Sequence, residues 1–399
     1  MKKPKLLYSL SIYWMSLVGL VRESILISIL TPAQLGVWRL ILTIQMYSKY
    51  LALNSSTLIV YRGQVKNVIN SYIKRVNCII SFLSLSLCIL FSTVLSNILP
   101  IEGNYFYIWF ALFSLSAFNI ATNYFTSINL ALKNFTKLAI FQFISPICML
   151  VLIFIIRPHD DLTIISLVVL SCAIPTLVFI KDFLSVVKYH KATYVYLKSK
   201  VRSLLVIIKS SIGNLFAPLS FTMFHTSEVW MMQSKFDIAL VGYFSIILVF
   251  TNVANLSASV FSTFMFAQDP LKTKSDTGFL FKKLIQVFSL VSVSVLIGNE
   301  LILNLIPNYY PNYAEMVPYL AIYSFCIPFL SLRNVSLTSA ISQNIGFLVG
   351  MFTVTLLIFK VVFSQFFIEE KESFFLSITI FNIIYGILVS IFPFFVKGR

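Results

Sequence analysis

Short polar segments divide the sequence into long apolar runs. A helix needs roughly 17 to 25 mostly apolar residues to cross a bilayer, and 58% of this chain is hydrophobic while only 11% is charged. Such a composition lies outside the range of soluble globular domains. We therefore predict an all-α polytopic membrane protein with twelve transmembrane helices, at residues 6–30, 37–60, 77–99, 105–131, 138–156, 162–180, 204–233, 239–267, 284–305, 317–340, 345–364 and 373–396.

The basic residues are concentrated on one side of the predicted membrane. If the N-terminus lies in the cytoplasm, most lysines and arginines fall in cytoplasmic segments, and the outer loops hold only Arg157, Lys235 and Lys371. The positive-inside rule then places both termini in the cytoplasm. The net charge of +16 thus reflects membrane topology and does not indicate a nucleic-acid partner.

A basic cytoplasmic stretch separates the first six predicted spans from the last six. It covers residues 181–203 and is the longest segment outside the predicted membrane. We interpret it as a linker between an N-terminal six-helix half, residues 1–180, and a C-terminal six-helix half, residues 204–399, which together enclose a central cavity.

An internal repeat supports this division into two halves. The spacing from Arg22 to Gly36 in the first half recurs from Glu228 to Gly242 in the second. Each glycine is followed two positions later by an aromatic residue and then by a long apolar run. Transporter folds are commonly built from such repeats, so the pattern favours a transporter.

Several basic residues fall within the predicted spans: Arg22, Arg39, Lys49, Lys209 and Lys360. A charge at the centre of a spanning helix costs roughly 2.5 to 3.5 kcal/mol and normally faces a bundle interior or a wet cavity. We predict that the first four make the central cavity cationic, which suits an anionic substrate such as a diphosphate or an acidic sugar. For Arg39, Lys209 and Lys360, which lie near helix ends, snorkelling to the membrane interface is the alternative.

Three further titratable residues lie in the same spans. Glu23 follows Arg22 directly, and His225 precedes Glu228 by three positions on the seventh span. A histidine or carboxylate in a wet cavity can titrate near neutral pH and couple proton movement to conformational change. We predict Glu23, Glu228 and His225 as cavity or coupling residues. The alternatives are an ion pair of Arg22 and Glu23 that only locks helices together, and a histidine that only packs.

Three stretches of the sequence resemble one transporter superfamily. GLVRESILISIL followed by TPAQLGVWRLILTIQ is similar to the opening of the multidrug/oligosaccharidyl-lipid/polysaccharide (MOP) exporters, DIALVGYFSIILVFTNV resembles their eighth span, and IPNYYPNYAEMVPYLAIYSF resembles their outer loop and tenth span. Twelve spans in 399 residues resemble the O-antigen flippase (Wzx) and polysaccharide-exporter branch, whereas the lipid II flippases usually carry fourteen.

The resemblance implies a MATE-like fold and a transporter of the bacterial inner membrane, not an enzyme. Its substrate would be an undecaprenyl-pyrophosphate-linked oligosaccharide, moved across the bilayer by alternating access. Arg22 occupies the family's arginine position and is implied as a contact to the diphosphate or glycan, while Glu228 stands where relatives often have Asp. The implied partners are a polysaccharide polymerase and a chain-length regulator. No cofactor is implied, and a proton or a sodium gradient is left open as the driving force.

Two other functions remain as alternatives. An O-antigen polymerase is expected to carry a sizeable outer loop with several arginines, and the outer loops of this sequence are short. A multidrug exporter of the same superfamily would favour an acidic, aromatic cavity for small cations, whereas the charges deep in these spans are mostly basic. Both alternatives are therefore disfavoured.

Overall fold

The computed structural model describes residues 3–52, 71–99, 101, 103–131, 134–179, 181, 201–254, 277–332 and 346–396. All regular structure in these ranges is helical, which confirms the predicted all-α class. The helices are α1 (Lys3–Ile29), α2 (Pro32–Ser48), α3 (Ser71–Ile98), α4 (Tyr105–Ala131), α5 (Phe135–Ile156), α6 (Asp161–Thr176), α7 (Val201–Lys235), α8 (Ile238–Ala254), α9 (Thr277–Tyr309), α10 (Val317–Ser324), α11 (Gly346–Phe366) and α12 (Lys371–Val396). Three 3₁₀ helices accompany them, at Lys49–Ala52, Leu177–Phe179 and Pro311–Met316.

Each predicted span overlaps one of these helices. The parts of the predicted spans at residues 53–60, 255–267 and 333–340 lie outside the described residues. Within the described ranges, six helical stretches are by themselves long and apolar enough to cross a membrane: Leu10–Ile29, Tyr105–Asn123, Phe135–Ile156, Asp161–Phe179, Phe347–Phe366 and Lys371–Ile391. Large apolar side chains point outward from several helices, and Ile155, Leu296 and Phe366 each expose more than 70% of their surface. Such surfaces are unusual on soluble proteins and suit contact with lipid tails. The chain is thus a multi-pass membrane protein.

The described chain forms two compact units. Unit 1 consists of Met1–Arg22 and Leu40–Leu215, and unit 2 consists of Glu23–Arg39 and Phe216–Arg399. The boundary crosses α1, α2 and α7, and the segment that joins α1 to α2 belongs to unit 2. Most of the predicted linker, 182–200, lies outside the described residues, and its role as a linker stays a prediction.

In unit 1, helices that are neighbours in sequence pack against one another. α5 packs on α6, and α4 packs on both α3 and α6. Arg157 directly follows the last residue of α5 and adopts a left-handed conformation with φ 49°. Asp160 then starts α6 with a capping box, because its carboxylate accepts the Thr163 N–H at 2.8 Å while the Thr163 hydroxyl accepts the Asp160 N–H at 3.2 Å. The turn therefore satisfies backbone donors that the start of α6 would leave unpaired.

Replacing Asp160 with alanine is expected to lower the free energy of unfolding by about 1 kcal/mol at neutral pH, as for other N-cap residues. The hydrogen bonds from Thr163 lower the pKa of Asp160. Its stabilising contribution is therefore present above the ordinary aspartate pKa and is lost as the pH falls through the lowered value. Unfolding measured in detergent at neutral and acidic pH checks this. Asp161→Ala, in the first turn of the same helix, is the matched control and should show a smaller change.

In unit 2, a lysine fastens the end of one helix to another. The Lys235 ammonium, at the end of α7, donates to the carbonyl oxygens of Ser364 at 3.0 Å and Gln365 at 2.8 Å, at the end of α11. The last carbonyls of a helix have no partner within the helix and carry partial negative charge, so a cation there is stabilising. The end of α7 is thereby fastened to the end of α11.

The two repeated glycines lie at one reciprocal helix crossing within unit 2. A methyl group at Gly36 on α2 would overlap the carbonyl oxygen of Ile238, and one at Gly242 on α8 would overlap the carbonyl oxygen of Pro32. The helices therefore touch backbone to backbone, as small residues permit in membrane proteins. The Tyr313 hydroxyl donates to the carbonyl of Leu30 at 2.8 Å beside this crossing. The sequence repeat thus reflects a steric requirement at two matching positions.

Candidate functional site

Unit 2 buries an ion pair between two membrane helices. The Lys360 ammonium on α11 lies 2.6 Å from Oε1 of Glu228 on α7, and both side chains are fully inaccessible to solvent. The cation also lies 4.4 Å from the centre of the Phe224 ring. Because both charges are removed from water, their stability depends on how completely the surrounding groups satisfy them.

Neighbouring side chains complete the hydrogen bonds of this pair. Besides Glu228, Lys360 Nζ donates to Asn382 Oδ1 at 3.1 Å and to the Phe224 carbonyl at 3.2 Å. These three acceptors match the three N–H bonds of an ammonium group. The Glu228 carboxylate accepts further hydrogen bonds from Asn382 Nδ2 at 2.7 Å and from the Tyr323 hydroxyl at 2.9 Å. Helices α7, α10, α11 and α12 therefore meet at one satisfied polar cluster, which we call the Glu228–Lys360 network.

The network changes the interpretation of two residues. The suggestion that Lys360 snorkels to the membrane interface is wrong, because its side chain is fully buried and donates its hydrogen bonds within unit 2. Glu228 lies in a packed interior and not on a wet surface, and its negative charge is balanced by Lys360. Asn382 and Tyr323 were not singled out from the sequence, although an asparagine within an apolar span is itself a signal of buried polar contacts.

His225 lies one helical turn before Glu228 and is half-buried. The partners of Glu228 described above come from α10, α11 and α12. A proton-coupling role for His225 and Glu228 therefore stays a prediction.

The other predicted cavity residues are divided between the two units. Arg22, Lys49 and Lys209 belong to unit 1, whereas Glu23 and Arg39 belong to unit 2. Arg22 is half-buried, and its Nη1 donates to the sulfur of Met149 on α5 at 3.6 Å. Glu23 is buried in unit 2, so the adjacent acid and base are assigned to different units. The side chain of Lys209 lies outside the described residues, and a shared cationic cavity stays a prediction.

Lys49 lies in unit 1, at the position where an α-helix changes to a 3₁₀ helix. α2 ends at Ser48, and Lys49 is the first residue of the 3₁₀ helix that follows. Its side chain is exposed, although the preceding Ser48 is fully buried. Polar contacts surround this point: Gln45 Nε2 donates to Cys172 Sγ at 2.8 Å, and Thr122 and Thr176 share a hydrogen bond of 2.8 Å. Thr122 and Thr176, which form this hydrogen bond, were not predicted as site residues.

Within the described ranges, no group of three or more histidine, cysteine, aspartate or glutamate side chains could hold a metal ion.

Solved structures resemble this chain over nearly its whole length. An inward-facing multidrug resistance MATE family transporter of the MOP superfamily matches 96% of this chain and 94% of its own, with a TM-score of 0.62 and 15% identity. The outward-facing conformation of such a transporter matches 98% and 93%, with a TM-score of 0.61 and 12% identity. The chain has the MATE fold. The Vibrio cholerae MATE transporter VcmN in its bent form also matches, over 100% of this chain and 96% of its own, with a TM-score of 0.60 and 16% identity.

The MATE fold confirms the predicted architecture class and is carried by transporters, not enzymes. No family model matches the sequence, and no curated protein matches it. At identities of 12 to 16%, the likeness shows the fold alone. The O-antigen flippase branch is therefore not confirmed by these structures, and the substrate has to be inferred from this chain's own residues.

Proposed function

We propose that this protein is a membrane transporter that flips a lipid-diphosphate-linked oligosaccharide, such as an undecaprenyl-pyrophosphate-linked repeat unit of a surface polysaccharide, by alternating access. The observation that carries the proposal is the MATE fold over nearly the full chain, since solved structures of that fold are inward-facing in one case and outward-facing in another. No covalent step is needed. The protein has to provide a polar route for the head group while the lipid tail stays in the bilayer.

The need for a protein route follows from the cost of moving sugars through hydrocarbon. Each hydroxyl without a hydrogen-bond partner costs on the order of kilocalories per mole. The diphosphate adds negative charge, which requires cationic or hydrogen-bonding partners along the route. Arg22 and Lys49 in unit 1 supply positive charge, and the exposed Lys49 side chain cannot face lipid tails at low cost. These residues support an anionic lipid-linked substrate.

The state of Glu228 argues against a small-cation exporter. An exporter of cations needs negative charge that the substrate can reach, and the carboxylate of Glu228 is buried and already paired with Lys360. Lys49, in contrast, presents a positive charge at an exposed position. The described residues therefore fit an anionic substrate better than a cationic drug.

The proposal can be tested in the host. A deletion strain is complemented with wild type, Lys49→Ala or Lys371→Ala at matched expression, and the sidedness of lipid-linked repeat units is assayed together with surface polysaccharide. Lys371→Ala is the control, because this exposed lysine forms only a surface ion pair of 3.6 Å with Asp237, which contributes little energy. Losing one charged contact is worth roughly 1.5 to 3 kcal/mol, so Lys49→Ala should lower flux about tenfold or more.

Three outcomes decide the matter. Single lipid-linked units that accumulate on the inner face of the deletion strain, and that Lys49→Ala relieves less well than Lys371→Ala, support the proposal. Units that reach the outer face and accumulate unpolymerised in the deletion strain would instead identify a polymerase. Equal relief by Lys49→Ala and Lys371→Ala would remove Lys49 from the substrate route.

A further inference from the structure

The junction before Lys49 changes the hydrogen-bond pattern of its helix. α2 is α-helical to Ser48, and a 3₁₀ helix continues from Lys49 to Ala52. A change from α-helical to 3₁₀ bonding, like any helix end, alters which backbone carbonyls have partners within the helix. Carbonyls near such a junction need donors from elsewhere when they are buried. Buried carbonyls at this junction therefore need hydrogen-bond donors from side chains or from another helix.

Two asparagines on α4 supply these donors. Asn119 Nδ2 donates to the carbonyl of Gln45 at 3.0 Å and to the Ser48 hydroxyl at 2.7 Å. Asn123 Nδ2 donates to the carbonyl of Lys49 itself at 3.4 Å. The two asparagines are four residues apart on α4 and so lie on the same helix face. Together they form a short ladder of side-chain amides along the end of α2.

Burial and further bonds fix this ladder. Asn119 is buried, with 6% of its surface exposed, and the Ser48 hydroxyl that it contacts donates to the Gln45 carbonyl at 2.8 Å. The Gln45 side chain in turn reaches Cys172 on α6. α2, α4 and α6 are thus tied together at the junction. In a low-dielectric interior, such a satisfied network is rigid and costly to disturb.

The ladder holds the backbone that carries the Lys49 side chain. Asn123 donates to the Lys49 carbonyl and Asn119 donates to the preceding turn, so both sides of this backbone segment are bonded to α4. Ser48 is fully buried while Lys49 is exposed. A charged contact is effective only when its geometry is held in advance, because ordering a long side chain on binding costs free energy.

We infer that Asn119 and Asn123 are positioning residues for substrate, which hold the 3₁₀ turn so that the Lys49 ammonium meets the phosphates of the lipid-linked substrate. The inference rests on the proposed function and adds to it two residues on α4 that position Lys49. Neither asparagine needs to touch the substrate. Both act through Lys49.

The test measures flipping of a polyprenyl-diphosphate oligosaccharide by purified protein in vesicles. Asn123→Leu, at a half-buried position, is expected to raise KM about tenfold with little change in maximal rate, since one charged contact is weakened. In a Lys49→Ala background, the same substitution should have no further effect on KM, because it acts through Lys49. Asn123→Gln, which keeps an amide donor, should retain most of the wild-type KM.

A matched control separates positioning from general stability. Asn97→Leu removes an amide that donates to the Thr93 carbonyl at 2.7 Å within α3. This is also a bond from a side-chain amide to a backbone carbonyl, but it does not involve Lys49, so the substitution should leave KM unchanged. Asn119→Leu is made as well, but Asn123→Leu decides the outcome if the buried site does not tolerate leucine. An unchanged KM with a lower maximal rate, or additive effects of Asn123→Leu and Lys49→Ala on KM, would overturn the inference.

A second readout does not depend on the substrate. A cysteine introduced by Lys49→Cys is labelled with a charged thiol reagent, against wild type as background, with and without Asn123→Leu. If α4 positions residue 49, Asn123→Leu changes the labelling rate severalfold while Asn97→Leu does not. An unchanged rate overturns the positioning role. If the labelling rate responds but wild type flips no lipid-diphosphate, the proposed function fails while the positioning of residue 49 stands.

Discussion

Lys360→Met is expected to lower the free energy of unfolding of the protein by about 3 to 5 kcal/mol, which is the typical cost of removing one partner of a buried ion pair. The reason is that the Glu228 carboxylate would stay buried without its cation, although Asn382 and Tyr323 would still donate to it. Methionine keeps a similar length and apolar stem, so little of the effect should come from lost packing. Thermal or denaturant unfolding in detergent measures the change.

The double variant Glu228→Gln/Lys360→Met tests whether the loss comes from an uncompensated buried charge. Removing both charges leaves no uncompensated buried ion, and replacing a buried pair by neutral groups is often close to neutral in stability. The double variant should therefore be more stable than Lys360→Met alone. Lys371→Met, at an exposed surface pair, is the control and should change little. Wild-type stability of Lys360→Met, or a double variant less stable than both singles, would show that the pair is not buried and coupled as described.

Gly242→Ala and Gly36→Ala are the second pair of substitutions with large expected effects. A methyl group at either position would overlap a backbone carbonyl of the facing helix, at Pro32 or Ile238. Carbonyl oxygens of a helix cannot move aside like the end of a flexible side chain, so the helices have to separate. Overpacking of this kind costs typically 1 to 3 kcal/mol or more. Unfolding in detergent should show the loss for each single variant.

Because the two glycines face each other's helices at one crossing, the effects of the two substitutions should not be additive. Once one methyl has pushed α2 and α8 apart, the second meets less overlap, so the double variant Gly36→Ala/Gly242→Ala should cost less than the sum of the singles. Gly19→Ala is the matched control, because a methyl there meets no atom within 4 Å. Alanine is the better helix former by about 0.5 to 1 kcal/mol, so this variant should be stabilising. Strictly additive losses, or single losses no larger than the change at Gly19, would contradict the close crossing.

The helices could be predicted from the sequence because the length of an apolar run is local information. Each predicted span overlaps a helix, and every one of these helices starts within seven residues of the predicted start. The second span also departs from its prediction in helix type: its α-helix begins at Pro32, five residues before the predicted start, and changes to a 3₁₀ helix at Lys49. The carbonyls of Gln45 and Lys49 at this change accept hydrogen bonds from Asn119 and Asn123. Because both asparagines lie on another helix, no pattern within the span could reveal these bonds.

The polar sites were only partly predictable, because partners far apart in sequence decide them. Glu228 and Lys360 were both identified as charges within spans, but 132 residues separate them, and nothing local indicates that they pair. The glycine repeat was visible in the sequence, yet its cause, two helices that cross at both glycines, requires the folded chain. The predicted four-residue cationic cavity depends on the relation of several helices and stays a prediction.

The adjacent charges Arg22 and Glu23 face different parts of the protein, although they are neighbours in sequence. Consecutive residues on an α-helix point about 100° apart, so they tend to face different neighbours. Arg22 belongs to unit 1 and contacts Met149, whereas Glu23 is buried in unit 2. The sequence alone could establish that these charges need partners. It could not assign them to different units.

The proposed function is tested most directly with the purified protein in sealed vesicles. A fluorescent polyprenyl-diphosphate oligosaccharide is placed in the membrane, and its transfer between leaflets is followed by a quencher that cannot cross the bilayer. Wild type is expected to move this lipid much faster than protein-free vesicles, Lys49→Ala to move it more slowly, and a small organic cation not to be transported. Vesicles that transport the cation while the glycolipid stays in its leaflet would contradict the proposal and identify a cation exporter.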